Sequence, residues 1–319
     1  MATRTFDELN AEVMRHYRNE DYAAVLELLE REGEQYPEMA HMVYYLRSCM
    51  AVRVGKPEMG IKLIEEALDK GFFYGERTMR DSPSWQPLQG NPEFERLVEI
   101  CKARQAEAGA DAVLLTEEPE SGCREDHPCP ALVALHGNGS DGESALAGWR
   151  AAVSQGWLLA AVQSSQVAAT KTYVWDDQAT AMRDVEARYT DLRRFHAIDA
   201  GRVVIAGFSL GGETALRAAL SGAIPARGFI LLGPGGPTID TPEEWLPLIE
   251  EGSDRKLRGY VLLGEEDAGV PQDAIRKLVE LLNENGISCD LEMLPGLAHE
   301  YPRELAPILT RALGFIEIE

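Results

Sequence analysis

The sequence predicts a chain in two parts. Residues 111–319 read as an α/β fold, a mostly parallel sheet with helices on both faces, and residues 1–108 as an all-α helical-repeat domain ahead of it. Three observations carry this. In the first part apolar residues recur at intervals of three and four, as in Tyr22, Val25, Leu26 and Leu29 or Ile61, Ile64 and Leu68. A constant offset of 35 residues aligns residues 20–29 with 55–64, and those with 90–99. From Asp111 onward the pattern changes to short apolar, β-branched runs bounded by Gly, Pro or polar turns, with helical stretches between them. Strands alternating with helices require crossover connections, which give parallel pairing.

In the first part each 35-residue unit has turn residues, an aromatic or proline, and then a small or apolar residue where helices cross closely. Gly55, Gly60, Ile64, Ala67 and Leu68 mark the second unit, and Tyr22 and Pro37 the first. The third is degenerate, and its Trp85, Leu88 and Phe94 offer an apolar surface that something must cover. This segment resembles the tetratricopeptide family, which implies stacked helix pairs and a surface for a protein partner. In the second part the predicted strands are 112–116, 131–135, 157–163, 202–206, 228–232, 259–263 and 289–294. Predicted helices occupy 144–154, 180–195, 213–220, 243–250, 273–285 and 303–315.

Composition bounds the function. The 319 residues are 45% hydrophobic and 26% charged, which fits a soluble chain with a substantial core. The net charge of −22 divides into −6 up to residue 110 and −16 beyond it, so neither part hides a basic domain. Phosphate backbones and anionic membrane surfaces both call for the opposite sign. No apolar run reaches the ~18 residues of a membrane span, and the first ten residues lack the apolar core of a secretory signal. Five scattered cysteines fit a reducing compartment, so the expected location is cytoplasmic. Cys123 and Cys129, with His127 between them, match no four-ligand zinc pattern and read as a loop with incidental thiols.

Parallel sheets collect their reacting groups at the carboxyl ends of strands. There the most informative stretch is Gly207-Phe208-Ser209-Leu210-Gly211, placed between a buried strand and an amphipathic helix. A strand that reverses into a helix with almost no loop brings the two backbones together. Gly207 and Gly211 supply the missing bulk, and the turn lifts the Ser209 hydroxyl out of the sheet at positive φ. A serine needs a base. His299 is the one histidine after Ser209, and it stands between the last strand and the last helix. Asp267 follows a strand that ends at Gly264 and is the preferred partner for the imidazole, with Glu266 the main alternative and Glu265 a close rival. An earlier strand ends in His136-Gly137-Asn138-Gly139, whose glycines let backbone N–H groups face a cleft. The expected oxyanion donors are the backbone N–H groups of Asn138 and Leu210, with Gly137, Gly139 and Trp175 as substrate-binding residues.

Gly137, Gly139 and Gly142 also spell a dinucleotide-type pattern, but the next strand ends in Gln163-Ser164-Ser165 where an acidic residue is needed. No metal or organic cofactor is expected. Taken together, residues 111–319 resemble an α/β-hydrolase, with His-Gly-x-Gly, Gly-x-Ser-x-Gly-Gly, Gly-x-x-Asp-x-x-Val-Pro and a late His in that family's chain order. They are most similar to its small carboxylesterase/phospholipase and dienelactone-hydrolase-like branch. Residues 173–177, Tyr-Val-Trp-Asp-Asp, fall where acyl-protein-thioesterase relatives carry a Trp-x-Asp-like segment. Dienelactone hydrolases proper have cysteine where this chain has Ser209, which argues against that activity. The resemblance implies a serine hydrolase acting on a small-molecule carboxylic ester or thioester. The rival expectations are a small peptidase of the same fold, and an interaction protein whose helical repeat binds a partner while the hydrolase half is a scaffold.

Overall fold

The computed structural model describes residues 4–109 and 111–318. The chain separates into two compact units. One runs up to Gly109 and also takes in Val167–Thr170, and the other comprises the remainder.

The first unit is built on helices α1 (Phe6–Arg18), α2 (Tyr22–Glu32), α3 (Ala40–Arg53), α4 (Pro57–Asp69), α5 (Glu76–Asp81) and α6 (Pro92–Glu107). Helices α2, α4 and α6 start at 22, 57 and 92, the 35-residue interval visible in the sequence. Their starts have local causes. Asp21 and Asn91 accept hydrogen bonds from backbone N–H groups of the first turn, and Pro57 and Pro92 occupy first helical positions where no donor is lost. Gly60 marks a close crossing of α3 and α4, since a Cβ there would stand 2.5 Å from Val52 Cγ2. The apolar surface of Trp85, Leu88 and Phe94, which something had to cover, is covered from within the first unit. All three are buried in this unit's own core, with Trp85 stacked edge-on against Tyr45, Tyr74 and Phe94 and its indole N–H bonded to Ser48 Oγ at 3.0 Å.

The second unit contains a seven-stranded sheet. Its strands are β1 (Val113–Glu117), β2 (Cys129–Leu135), β3 (Leu158–Gln163), β6 (Ile198–Phe208), β7 (Gly228–Leu232), β8 (Arg258–Gly264) and β9 (Ser288–Leu294), in the order β1-β3-β2-β6-β7-β8-β9. Only β1 is antiparallel to its neighbour. Successive side chains of β2 go to opposite faces. Ala131, Val133 and Leu135 join one apolar cluster, and Leu132 and Ala134 the other. The first cluster packs under α8 (Gln178–Phe195), α9 (Leu210–Ser221), α10 (Leu246–Gly252) and α11 (Gln272–Glu284). The second packs under α7 (Gly142–Trp149) and α12 (Leu305–Glu317). A two-stranded hairpin, β4 (Gln166–Ala169) with β5 (Thr172–Val174), was absent from the sequence reading. Its turn passes through Lys171 at φ 53, with no Gly or Asn to announce it.

Cys123 and Cys129 form a disulfide, which corrects the reading of incidental thiols. Arg124 and His127 pair across a tight turn and bring the two Cα atoms to 5.2 Å, inside bridging range. The thiol argument for a reducing compartment therefore does not extend to this pair. Among the described residues no helix is long and apolar enough to cross a membrane.

Candidate active site

Strand β6 ends at Phe208 and α9 begins at Leu210, so Ser209 alone makes the turn, at φ 54 and ψ −124. A non-glycine residue held there stores strain that the surrounding packing must enforce. The enforcement is visible on both sides. A Cβ on Gly207 would lie 2.1 Å from the Gly211 carbonyl oxygen, and one on Gly211 would lie 2.3 Å from that of His136. The serine N–H donates to the Leu232 carbonyl at 3.0 Å, which ties the turn to the end of β7.

The structure brings Ser209, His299 and Asp267 together. His299 Nε2 stands 2.9 Å from Ser209 Oγ, and its Nδ1 stands 2.8 Å from Asp267 Oδ2. The other carboxylate oxygen accepts the Gly269 N–H at 2.8 Å. Asp267 is buried at 3% exposure, whereas its sequence rivals Glu265 and Glu266 are exposed. A carboxylate oxygen accepts only, so Nδ1 carries the imidazole proton and Nε2 is free to accept from the serine hydroxyl. The Phe208 ring lies against the imidazole at 4.8 Å and continues into Tyr301, also at 4.8 Å.

The loop after β2 sits beside this turn. His136 is fully buried, and burial pushes its imidazole down to about 4, so it is neutral near pH 7. Its Nε2 accepts the Ser164 N–H at 3.2 Å, which leaves the proton on Nδ1, donated to the Gly137 carbonyl at 2.8 Å. Gly139 takes φ +71 and donates its N–H to the Tyr173 carbonyl, while Tyr173 N–H returns a bond to Ser140. Asn138 is exposed at the crest of this loop, and Leu210 opens the first turn of α9. Trp175, expected to contact substrate, is fully buried. Its ring stacks on His136 and its indole N–H donates to the His136 carbonyl at 2.9 Å, so it supports the loop from beneath.

One part of the site escaped the sequence reading. Strand β7 ends in Gly233-Pro234-Gly235-Gly236, three glycines in four residues at the same sheet edge as Ser209. A Cβ on Gly233 would lie 3.0 Å from Asp267 Oδ2 and 3.3 Å from His299 Nδ1, and one on Gly235 would lie 3.8 Å from Ser209 Oγ. That run of glycines after a buried strand was the available signal.

Comparison with known proteins bears on the same two units. Residues 155–308 match the dienelactone hydrolase family, and residues 5–109 match an A/B hydrolase-like N-terminal domain. No curated protein matches the chain. Among solved structures, an uncharacterized protein from Bacillus cereus aligns over 99% of this chain and 100% of its own, at 25% identity and a TM-score of 0.54. Est1E from Butyrivibrio proteoclasticus, bound to ferulic acid, aligns over 64% of this chain and 94% of its own, at 14% identity and a TM-score of 0.51. The esterase PE8 aligns over 63% and 97%, at 20% identity and a TM-score of 0.50. With its mostly parallel sheet and these matches, the second unit has the α/β-hydrolase fold of the dienelactone hydrolase type, preceded by an all-helical N-terminal region.

Proposed function

We propose that the protein is a serine esterase that cleaves a small carboxylic ester or thioester through a covalent acyl-enzyme. The observation that carries this reading is the continuous chain from Ser209 Oγ through the His299 ring to a buried Asp267. In the first step His299 Nε2 takes the hydroxyl proton while Ser209 Oγ attacks the carbonyl carbon. Asp267 holds the ring in the tautomer that makes Nε2 a base and stabilises the imidazolium that forms. Negative charge collects on the carbonyl oxygen, where the backbone N–H groups of Asn138 and Leu210 are the assigned donors. The imidazolium then gives its proton to the departing alcohol or thiol. Water, deprotonated by the same nitrogen, releases the acid and restores the serine.

Gly137 and Gly139 belong to this reading as the residues whose bare backbone lets the oxyanion loop adopt its course. Trp175 acts indirectly, by fixing the His136 carbonyl. The helical region keeps its expected part as a repeat of tetratricopeptide type that offers a surface to a protein partner. The deciding experiment is turnover of a short-chain p-nitrophenyl ester together with fluorophosphonate labelling. The expected result is one label per chain, on Ser209, and loss of both signals in His299→Ala. A purified protein that neither turns over the ester nor takes up label would favour the rival reading of a scaffold for interactions.

A further inference from the structure

Glu213 stands in the first turn of α9, four residues after Ser209, and is 1% exposed. A buried carboxylate is costly unless hydrogen bonds hold it. Here the nearest cation is Arg217, 3.9 Å away at Nη2, too far for a hydrogen bond. The partners are instead two backbone donors from the loop after β7. Glu213 Oε2 accepts the Thr238 N–H at 3.1 Å and the Ile239 N–H at 3.4 Å. The same oxygen lies 2.2 Å from where a Cβ on Gly236 would stand, at φ +148, so the loop is drawn onto the carboxylate as tightly as glycine allows. Around it, Arg217 Nη2 donates to Thr238 Oγ1 at 3.2 Å, the Trp245 indole N–H donates to the Thr238 carbonyl at 2.9 Å, and Arg217 lies over the Trp245 ring at 4.8 Å.

The other end of that loop reaches the reacting groups. Gly233 packs against Asp267 and His299 Nδ1, and Gly235 donates its N–H to the Ser209 carbonyl at 3.1 Å. A short segment is therefore clamped at residues 238–239 by Glu213 and touches all three members of the site at residues 233–235.

We propose that Glu213 is a positioning residue for this site: by anchoring the 233–239 loop it fixes where Ser209, His299 and Asp267 stand relative to one another. This deepens the esterase reading and rests on it for its kinetic consequences. Glu213→Ala removes the anchor, and kcat should fall on the order of tenfold to a hundredfold, since small misplacements of a reacting pair are costly. KM should move far less. Glu213→Gln keeps the length and one accepting oxygen and should restore kcat to within about threefold of the parent.

Two readouts separate positioning from mere folding. Thermal unfolding reports the folded fraction. The downfield proton resonance of the His299 Nδ1–Asp267 hydrogen bond, assigned by its loss in Asp267→Ala, reports the geometry without any turnover. The expected result is a shifted or broadened resonance in folded Glu213→Ala and a parent-like one in Glu213→Gln. A folded Glu213→Ala with parent kcat and resonance overturns the proposal, and so does a loss of activity that only tracks the loss of folded protein. Should the parent show no hydrolysis and no labelling while its resonance still responds to Glu213→Ala, the esterase reading fails and the positioning role stands.

Discussion

The turn from β6 into α9 and the loop after β7 both use bare glycine backbone at the same sheet edge, by different means. In the first, the constraint is local. Five consecutive residues must reverse a strand into a helix, and Gly207 and Gly211 are required because backbone carbonyls stand 2.1 and 2.3 Å from the positions of their missing Cβ atoms. In the second, the constraint comes from afar. Gly233 is pressed by Asp267 and His299, and Gly236 by Glu213, residues distant in the chain. The first turn decides where the hydroxyl points, and the second decides what surrounds it.

That contrast orders the expected effects of substitution. The largest belongs to the local turn. Ser209→Ala should lower kcat by about 10⁶-fold if the three groups act as a unit, with the fold kept because the methyl occupies the same strained position. Ester turnover by the purified variant measures it, and activity near that of the parent would remove Ser209 from the chemistry. Asp267→Asn comes next, at about 10⁴-fold, because an amide in place of the carboxylate favours the wrong imidazole tautomer. If Asp267→Asn keeps its activity while Glu266→Gln loses it, the acid is Glu266, against the exposure of that side chain in the structure.

How much of this was legible follows from the same contrast. All seven strands of the large sheet and the helices between them lie close to where apolar runs and turn residues put them, because each spans its own periodicity. The hairpin of β4 and β5 was missed, since strands of four and three residues carry no period and Lys171 occupies the turn. That Ser209, His299 and Asp267 meet was legible because each follows a strand at one sheet edge. The 233–239 loop was not, since its meaning depends on Glu213 folding back onto Thr238 and Ile239. The place of Trp175 beneath the His136 loop was not legible, because sequence does not tell a ring that lines a cleft from one that props the loop below it.

His136 lies under the local turn and links it to stability. Its folded imidazole is pushed down to about 4 by burial, against 6.5 for an unperturbed histidine. Between those two values the unfolded chain binds the proton and the folded chain does not, so stability rises with pH across that window. The contribution is complete above about pH 6.5 and is lost as pH falls toward 4, in total about 3 kcal/mol. Denaturant unfolding at a series of pH values should show this slope in the parent and a flatter one in His136→Gln. Equal slopes in the two proteins would mean that other groups dominate the acid response.

The smallest effect expected is the one that tests the distant loop. Gly235→Ala adds a methyl 3.0 Å from Val270 Cγ1 and 3.8 Å from Ser209 Oγ, with no backbone atom in the way. Val270 is a side chain at the start of the segment leading to α11 and can give by a few tenths of an ångström, so the variant should fold. The cost then falls on the space beside the hydroxyl. Crowding or slight displacement of the nucleophile should lower kcat/KM by about tenfold, far less than the loss of Ser209 itself. The loss should grow with the bulk of the acyl group, because a larger group needs more of the space the methyl occupies. Comparing acetyl, butyryl and octanoyl p-nitrophenyl esters measures that trend. A uniform loss across the series would mean that the loop sets the position of the serine alone, and no loss at all would mean that the substrate approaches from the side of the Asn138 loop, leaving the glycines after β7 to pack against Asp267, His299 and Glu213.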